Sequence, residues 1–201
     1  MDKQEKLNDI KRQALENHVP ILQDVSLDFI QMILSVKRPN KILELGTAVG
    51  YSAINFSKYL SGKDCKIKTI EINEKMYNQA INNIKEMELE DKIEVIFADA
   101  TEYLPTIDEN IEKFDVIFID AAKGQYPKFL DNALRLINDN GIIIADNVLF
   151  KGRVMSDYNE HRNRTAVNRL RSYIKTINEN EILDSHVFDI GDGIAVSVIK
   201  R

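Results

Sequence analysis

Five short apolar runs recur along the chain at intervals of 21 to 27 residues: "KILELGT" (41–47), "IKTIEIN" (67–73), "IEVIFAD" (93–99), "FDVIFID" (114–120) and "GIIIADN" (141–147). Runs this apolar read as strands buried on both faces. Stretches of helical periodicity fall between them, near 51–61, 74–88, 100–110 and 125–138, and two more precede the first run, near 3–16 and 24–36. Strand–helix alternation at this spacing predicts a parallel sheet with helices on both faces. The ending departs from the pattern. After a helix near 160–179 come "ILDSHVF", "DIGDG" and "IAVSVIK". Two strand-like runs across a Gly-Asp-Gly turn predict a β-hairpin. The expected architecture is α/β: a mostly parallel seven-stranded sheet closed by a C-terminal antiparallel hairpin. A single domain over 1–201 is expected, with N-terminal helices in 1–38 and the working core in 39–201.

Composition narrows the function. The N-terminal "MDKQEKLNDIKRQ" is too polar for a signal peptide, and no apolar run nears the roughly 20 residues of a membrane helix. No membrane association is expected. Cys65 is the only cysteine, so a disulfide or thiolate zinc site within one chain is excluded. A reducing, cytoplasmic setting follows as an expectation. The net charge of −5 argues against general nucleic-acid binding, but it is unevenly spread. Between Lys151 and Lys175 stand seven Lys/Arg against Asp157 and Glu160, so this segment carries +5 and the rest −10. A solvated helix face and a polyanion-binding surface both fit that run.

In open α/β sheets, ligands bind beyond the carboxyl ends of the strands. Here all five ends carry polar residues: "ELGTAVGYS" with Glu44, Gly46 and Gly50, then Glu71, Asp99 with Ala100, Asp120, and finally Asp146 with Asn147. One acid at a strand end is commonly a helix cap. Five in succession point to a ligand site. Glycines after the first strand permit a tight turn and close backbone approach. The run G-T-A-V-G lacks the middle glycine of the dinucleotide fingerprint, which weakens the case for a pyrophosphate. Glu71, 21 residues beyond Gly50, is well spaced to accept hydrogen bonds from ribose hydroxyls. Glu44 before the turn suits a cationic group. Ribose, base and a cationic tail together describe S-adenosylmethionine.

Asp120, Asp146 and Asn147 offer three hard oxygen ligands with no His or Cys, a set suited to Mg²⁺, Ca²⁺ or Mn²⁺ with positions left for water or substrate. Capping of a turn is the competing reading for the last two. Lys123, three residues after Asp120, reads either as an exposed lysine at a helix start or as a base. A dication nearby would disfavour its charged form and free it to take a proton.

These pieces, "ILELGTAVGYSA", "IEIN", "FADA", "FDVIFIDAAKGQY", "IIIADNVLFKG" and "GDGIAVS", resemble the catechol O-methyltransferase-like family of class I S-adenosylmethionine-dependent methyltransferases, across essentially the whole chain. The resemblance implies a Rossmann-like class I methyltransferase fold. It implies cofactor contacts at Val19, Glu44, Gly46, Thr47, Ser52, Glu71, Asp99, Ala100 and Asp120, beside Gly50 of the turn. It implies metal ligation by Asp120, Asp146 and Asn147, proton abstraction by Lys123, and a homodimer. Within the family, "ILSVKRPNKILELGTAVGYSAI" and "DNVLFKG" are most similar to bacterial enzymes that convert 5-hydroxyuridine to 5-methoxyuridine at the tRNA wobble position. That implies a tRNA anticodon loop as partner, with Lys151, Arg153, Arg162 and Arg164 as candidate RNA contacts. A small-molecule O-methyltransferase acting on catechol-like or caffeoyl-type substrates shares the fold, cofactor and metal. Compared with the animal catechol enzymes of that family, the chain departs at Ala121 and Ala122, where the resemblance implies bulky residues walling a catechol pocket.

Overall fold

The computed structural model describes residues 2–62, 64–157 and 160–200, and the chain forms two compact units, Met1–Ala100 and Thr101–Arg201. Among the described residues, seven strands form one sheet in the order β3-β2-β1-β4-β5-β7-β6, mostly parallel, with a C-terminal antiparallel hairpin and helices around it. This is the expected α/β, Rossmann-like arrangement. No helix of the described residues is long and apolar enough to cross a membrane.

In the first unit, α1 (Lys3–Glu16) starts with a capping box: Asp2 accepts from the backbone of Gln4 and Glu5, and the Glu5 carboxylate accepts from the Asp2 N–H. Its buried positions Leu7, Ile10 and Ala14 follow helical spacing. α2 (Asp24–Lys37) buries Leu27, Ile30 and Leu34 and stops at Arg38, just before Pro39, which disfavours helical geometry in the preceding residue. Strands β1 (Lys41–Leu45), β2 (Lys66–Glu71) and β3 (Ile93–Phe97) pair in parallel. Helices α3 (Tyr51–Tyr59) and α4 (Glu74–Glu86) connect them. Ile42, Leu43, Leu45, Ile67 and Ile70 are all but fully buried, as strands covered on both faces require.

The expected helix over 100–110 is cut short. α5 (Ala100–Tyr103) gives way to a single 3₁₀ turn at Leu104–Thr106. Pro105 explains this, since its ring removes a helical N–H and collides with the preceding turn.

In the second unit, β4 (Phe114–Ile119) pairs in parallel with β5 (Ile137–Ala145), and α6 (Tyr126–Leu136) lies between them in sequence. β5 begins four residues before the apolar run expected at 141. The added residues are irregular: the register slips between Phe114↔Ile137 and Val116↔Ile142, and Asn140 has φ 58°. Gly141 is required there, because a Cβ would stand 2.3 Å from Ile137 Cγ1. α7 (Arg164–Glu179) follows a 3₁₀ turn at His161–Asn163. β6 (Leu183–Phe188) and β7 (Ile194–Ile199) then form the antiparallel hairpin, with β7 against β5.

Candidate active site

In the first unit, the turn after β1 is built on left-handed backbone. Gly46 has φ 98°, Ala48 46° and Gly50 81°. Gly50 supplies the residue before α3 at no steric cost, where a side chain would be strained. Glu71, the last residue of β2, fastens this turn. One carboxylate oxygen accepts from the Ala48 N–H at 2.8 Å and the other from the Asn73 N–H at 2.8 Å. A carboxylate accepts about four hydrogen bonds, so each oxygen retains capacity for a ribose hydroxyl.

Glu44 is placed differently from the expectation of a carboxylate facing a ligand. It is 0% exposed. Ser52 donates to one of its oxygens and Thr69 to the other, while Thr47 and Thr69 share a hydroxyl contact of 2.6 Å. Three expected residues, Glu44, Thr47 and Ser52, therefore sit in one buried network, completed by Thr69. Sequence reasoning missed Thr69. The signal lay in register, because Thr69 is the residue of β2 paired with Glu44 in β1. The network sets the start of α3 relative to β1. Asp99 lies two residues past β3, and Ala100 opens α5. Val19 is in the link between α1 and α2, its N–H bonded to the Ala14 carbonyl at 2.8 Å.

In the second unit, Asp120 follows β4 directly and Asp146 follows β5. Asp146 is 2% exposed. Its Oδ2 accepts from the Asn147 amide at 3.1 Å, and its Oδ1 is buried with no hydrogen-bond partner among the described residues. Burial, reinforced by the charge of Asp120, pushes the Asp146 carboxyl up to about 7. Burial also raises Asp120, against the opposing effect of Lys123. An orphaned buried carboxylate oxygen beside a second acid is an arrangement that a cation would relieve. The donor set, two carboxylates and one amide oxygen, fits a hard dication. Among the described residues there is no group of three or more His, Cys, Asp or Glu that could hold a metal. The third donor here is the Asn147 amide.

Lys123 meets this cluster. Its Nζ donates to Asn147 Oδ1 at 3.1 Å and stands 5.5 Å from the Phe150 ring centroid. Arg153 approaches the same ring at 5.1 Å. Buried Tyr126 donates to the Asp146 carbonyl at 2.8 Å, fixing the end of β5. The loop after β5 is strained: Asn147, Phe150 and Lys151 all have φ between 47° and 55°. Non-glycine residues in this region cost about 1–3 kcal/mol each and cluster at functional sites.

The four expected RNA contacts fall in this unit. Lys151 and Arg153 lie in the loop after Asn147, Arg162 in the 3₁₀ turn before α7, and Arg164 at the first position of α7. Lys151, Arg162 and Arg164 are exposed. Arg171, in the same basic run, has another role. Its guanidinium donates to the carbonyls of Arg153, Val154 and Ser156 and so holds the loop.

A doubly wound fold whose strand ends carry a glycine turn, a Glu at the end of β2 and a paired-acid site is that of a class I methyltransferase. The O-methyltransferase family model matches residues 1–200. The chain belongs to that family and is an S-adenosylmethionine-dependent O-methyltransferase. It is 32% identical over 178 residues to a catechol O-methyltransferase of Niastella koreensis, covering 86% of this chain and 79% of that protein. It is 30% identical over 206 residues to a flavonoid 3′,5′-methyltransferase of Vitis vinifera, covering 96% and 86%. A crystal structure of the O-methyltransferase from Bacillus cereus in complex with SAH superposes with a TM-score of 0.86 at 29% identity, covering 98% of this chain and 91% of that one.

Proposed function

We propose that this enzyme methylates the 5-hydroxyl of 5-hydroxyuridine at the wobble position of tRNA. The observation that carries this is where the cations fall. The loop leaving Asn147 presents exposed Lys151 and then Arg153, exposed Arg162 stands in the 3₁₀ turn before α7, and exposed Arg164 opens α7. A free catechol has no phosphates for such a group to meet; a coenzyme A ester has a few and RNA has one at every nucleotide, and Lys/Arg contacts to phosphate supply much of RNA affinity. A homodimer, on the family resemblance, and a cytoplasmic setting, on cysteine usage, belong to the same reading.

In the first unit, S-adenosylmethionine is held by Glu71, through its free acceptor capacity, by the Gly46–Gly50 turn with Thr47, by Asp99 with Ala100, and by Val19. Glu44 and Ser52 support this site by tying the start of α3 to β1. Asp120, Asp146 and Asn147 would hold Mg²⁺ or Mn²⁺, and such an ion would supply a Lewis acid that lowers the proton affinity of the substrate hydroxyl. Lys123 takes the hydroxyl proton at Nζ. The oxygen then displaces the sulfonium, forming an O–CH₃ bond as the S–CH₃ bond breaks and leaving S-adenosylhomocysteine. The chain's contribution is chiefly near-attack placement.

A second reading, methylation of catechol-like or caffeoyl-type small molecules, is favoured by the identity to the Niastella koreensis enzyme. Nucleoside analysis of tRNA from a strain lacking this protein separates the two. 5-Hydroxyuridine accumulating in place of 5-methoxyuridine supports the tRNA reading; an unchanged nucleoside profile overturns it. Charge reversal at Arg162 and Arg164 should weaken tRNA binding and flatten its salt dependence by roughly 0.7 per lost phosphate contact. Cofactor affinity and methylation of a small catechol should not change. Binding isotherms at several salt concentrations check this, and identical slopes for the variant and the parent count against it.

For the cofactor, Glu71→Ala should weaken S-adenosylmethionine binding by about 1.5–3 kcal/mol, the worth of hydrogen bonds to a charged acceptor. Titration calorimetry on folded variant protein is the check, and unchanged affinity would remove Glu71 from the cofactor site.

A further inference from the structure

The strained loop carrying Asn147 is held from outside the site by the turn between β6 and β7. The Val148 N–H donates to the Gly193 carbonyl at 3.0 Å, and the Leu149 N–H to the Asp192 carbonyl at 3.0 Å. The Lys151 N–H donates to Asp192 Oδ1. Gly193 lets the two segments approach so closely: it has φ 88°, and a Cβ there would stand 2.3 Å from Leu149 Cγ. Strained backbone persists only where its surroundings over-determine it. Three successive anchors on a loop with three left-handed non-glycine residues meet that condition.

We propose that Asp192 is a positioning residue for methyl transfer. Its carboxylate, by capping the Lys151 N–H, keeps Lys151 left-handed. That fixes Phe150 and Asn147, and through Asn147 Oδ1 and the Phe150 ring it fixes the Lys123 ammonium. The hydrogen bonds of Asp192 go to the loop backbone, at Leu149 and Lys151. The catalytic consequence rests on the roles given above to Asn147 and Lys123. The anchoring itself does not.

Asp192→Ala and Asp192→Asn separate positioning from other roles. The asparagine amide oxygen can still accept from Lys151 N–H, so Asp192→Asn should keep turnover and loop protection close to those of the parent. Asp192→Ala should raise hydrogen exchange at the Lys151 amide by about tenfold or more, the loss of one hydrogen bond to a charged acceptor. It should lower kcat by up to about 10²-fold, the cost of a misplaced catalytic group. KM for S-adenosylmethionine and the thermal midpoint should stay near the parent values. Parental exchange at Lys151 in Asp192→Ala overturns the anchor. Faster exchange with parental kcat overturns the positioning role, and Lys123→Ala in the same assay shows whether the roles assigned to Lys123 and Asn147 failed instead. Asp192→Asn as impaired as Asp192→Ala overturns the proposal in favour of a role for the negative charge itself.

Discussion

Lys123→Ala is expected to lower turnover by about 10²–10⁴-fold, the usual loss on removing a general base. Binding of S-adenosylmethionine and of the dication should be nearly unchanged. The expectation rests on placement: Lys123 Nζ lies 3.1 Å from Asn147 Oδ1, beside the paired acids. The competing role is purely structural, an ammonium that satisfies the Asn147 amide and packs over Phe150. Lys123→Arg tells them apart. A guanidinium can donate to the amide and stack on the ring, but it does not give up its proton in a protein. If Lys123 is the base, the arginine variant is as inactive as the alanine variant. Single-turnover rates measured for both, with calorimetry for the cofactor, make the comparison. An arginine variant with near-parental turnover would return Lys123 to the structural role.

Loss of the dication should have an effect at least as large. Several kcal/mol of charge stabilisation at the reacting oxygen corresponds, at 1.36 kcal/mol per decade, to a loss of about 10³-fold or more. Chelator should abolish activity, and added Mg²⁺ or Mn²⁺ should restore it. Asp146→Ala removes the carboxylate whose Oδ1 is buried without a partner, and Asn147→Ala removes the amide oxygen beside Lys123. Each should lose activity and metal affinity together while retaining S-adenosylmethionine. The affinity is measurable without substrate, by calorimetry or Mn²⁺ resonance. Full turnover in excess chelator, with parental activity in Asp146→Ala, would leave these residues as turn caps.

The sequence alone determined the alternation of strands and helices, the closing hairpin and the polar residues at the strand ends. Those features are local. Apolar runs and helical periodicity are written in consecutive residues, and hydrophobic burial enforces them wherever the run lies. Pro105, which ends the short helix α5 begun at Ala100, was equally readable but outweighed by periodicity around it. What only the tertiary structure decided was how polar groups far apart in sequence satisfy one another. Glu44 looked like a ligand-facing acid, yet Thr69, 25 residues away, and Ser52 close it off in the interior. Arg171 looked like one more cation in a basic run, and it spends its donors on three carbonyls of the loop before α7. Of the left-handed residues, Asn147 is of a type that tolerates such backbone, but Phe150 and Lys151 carry no turn signal of their own; Asp192 and Gly193, some 40 residues later, hold that loop. Buried hydrogen bonding must be satisfied but does not specify by which residue, so the partner is fixed only when the strands take their register.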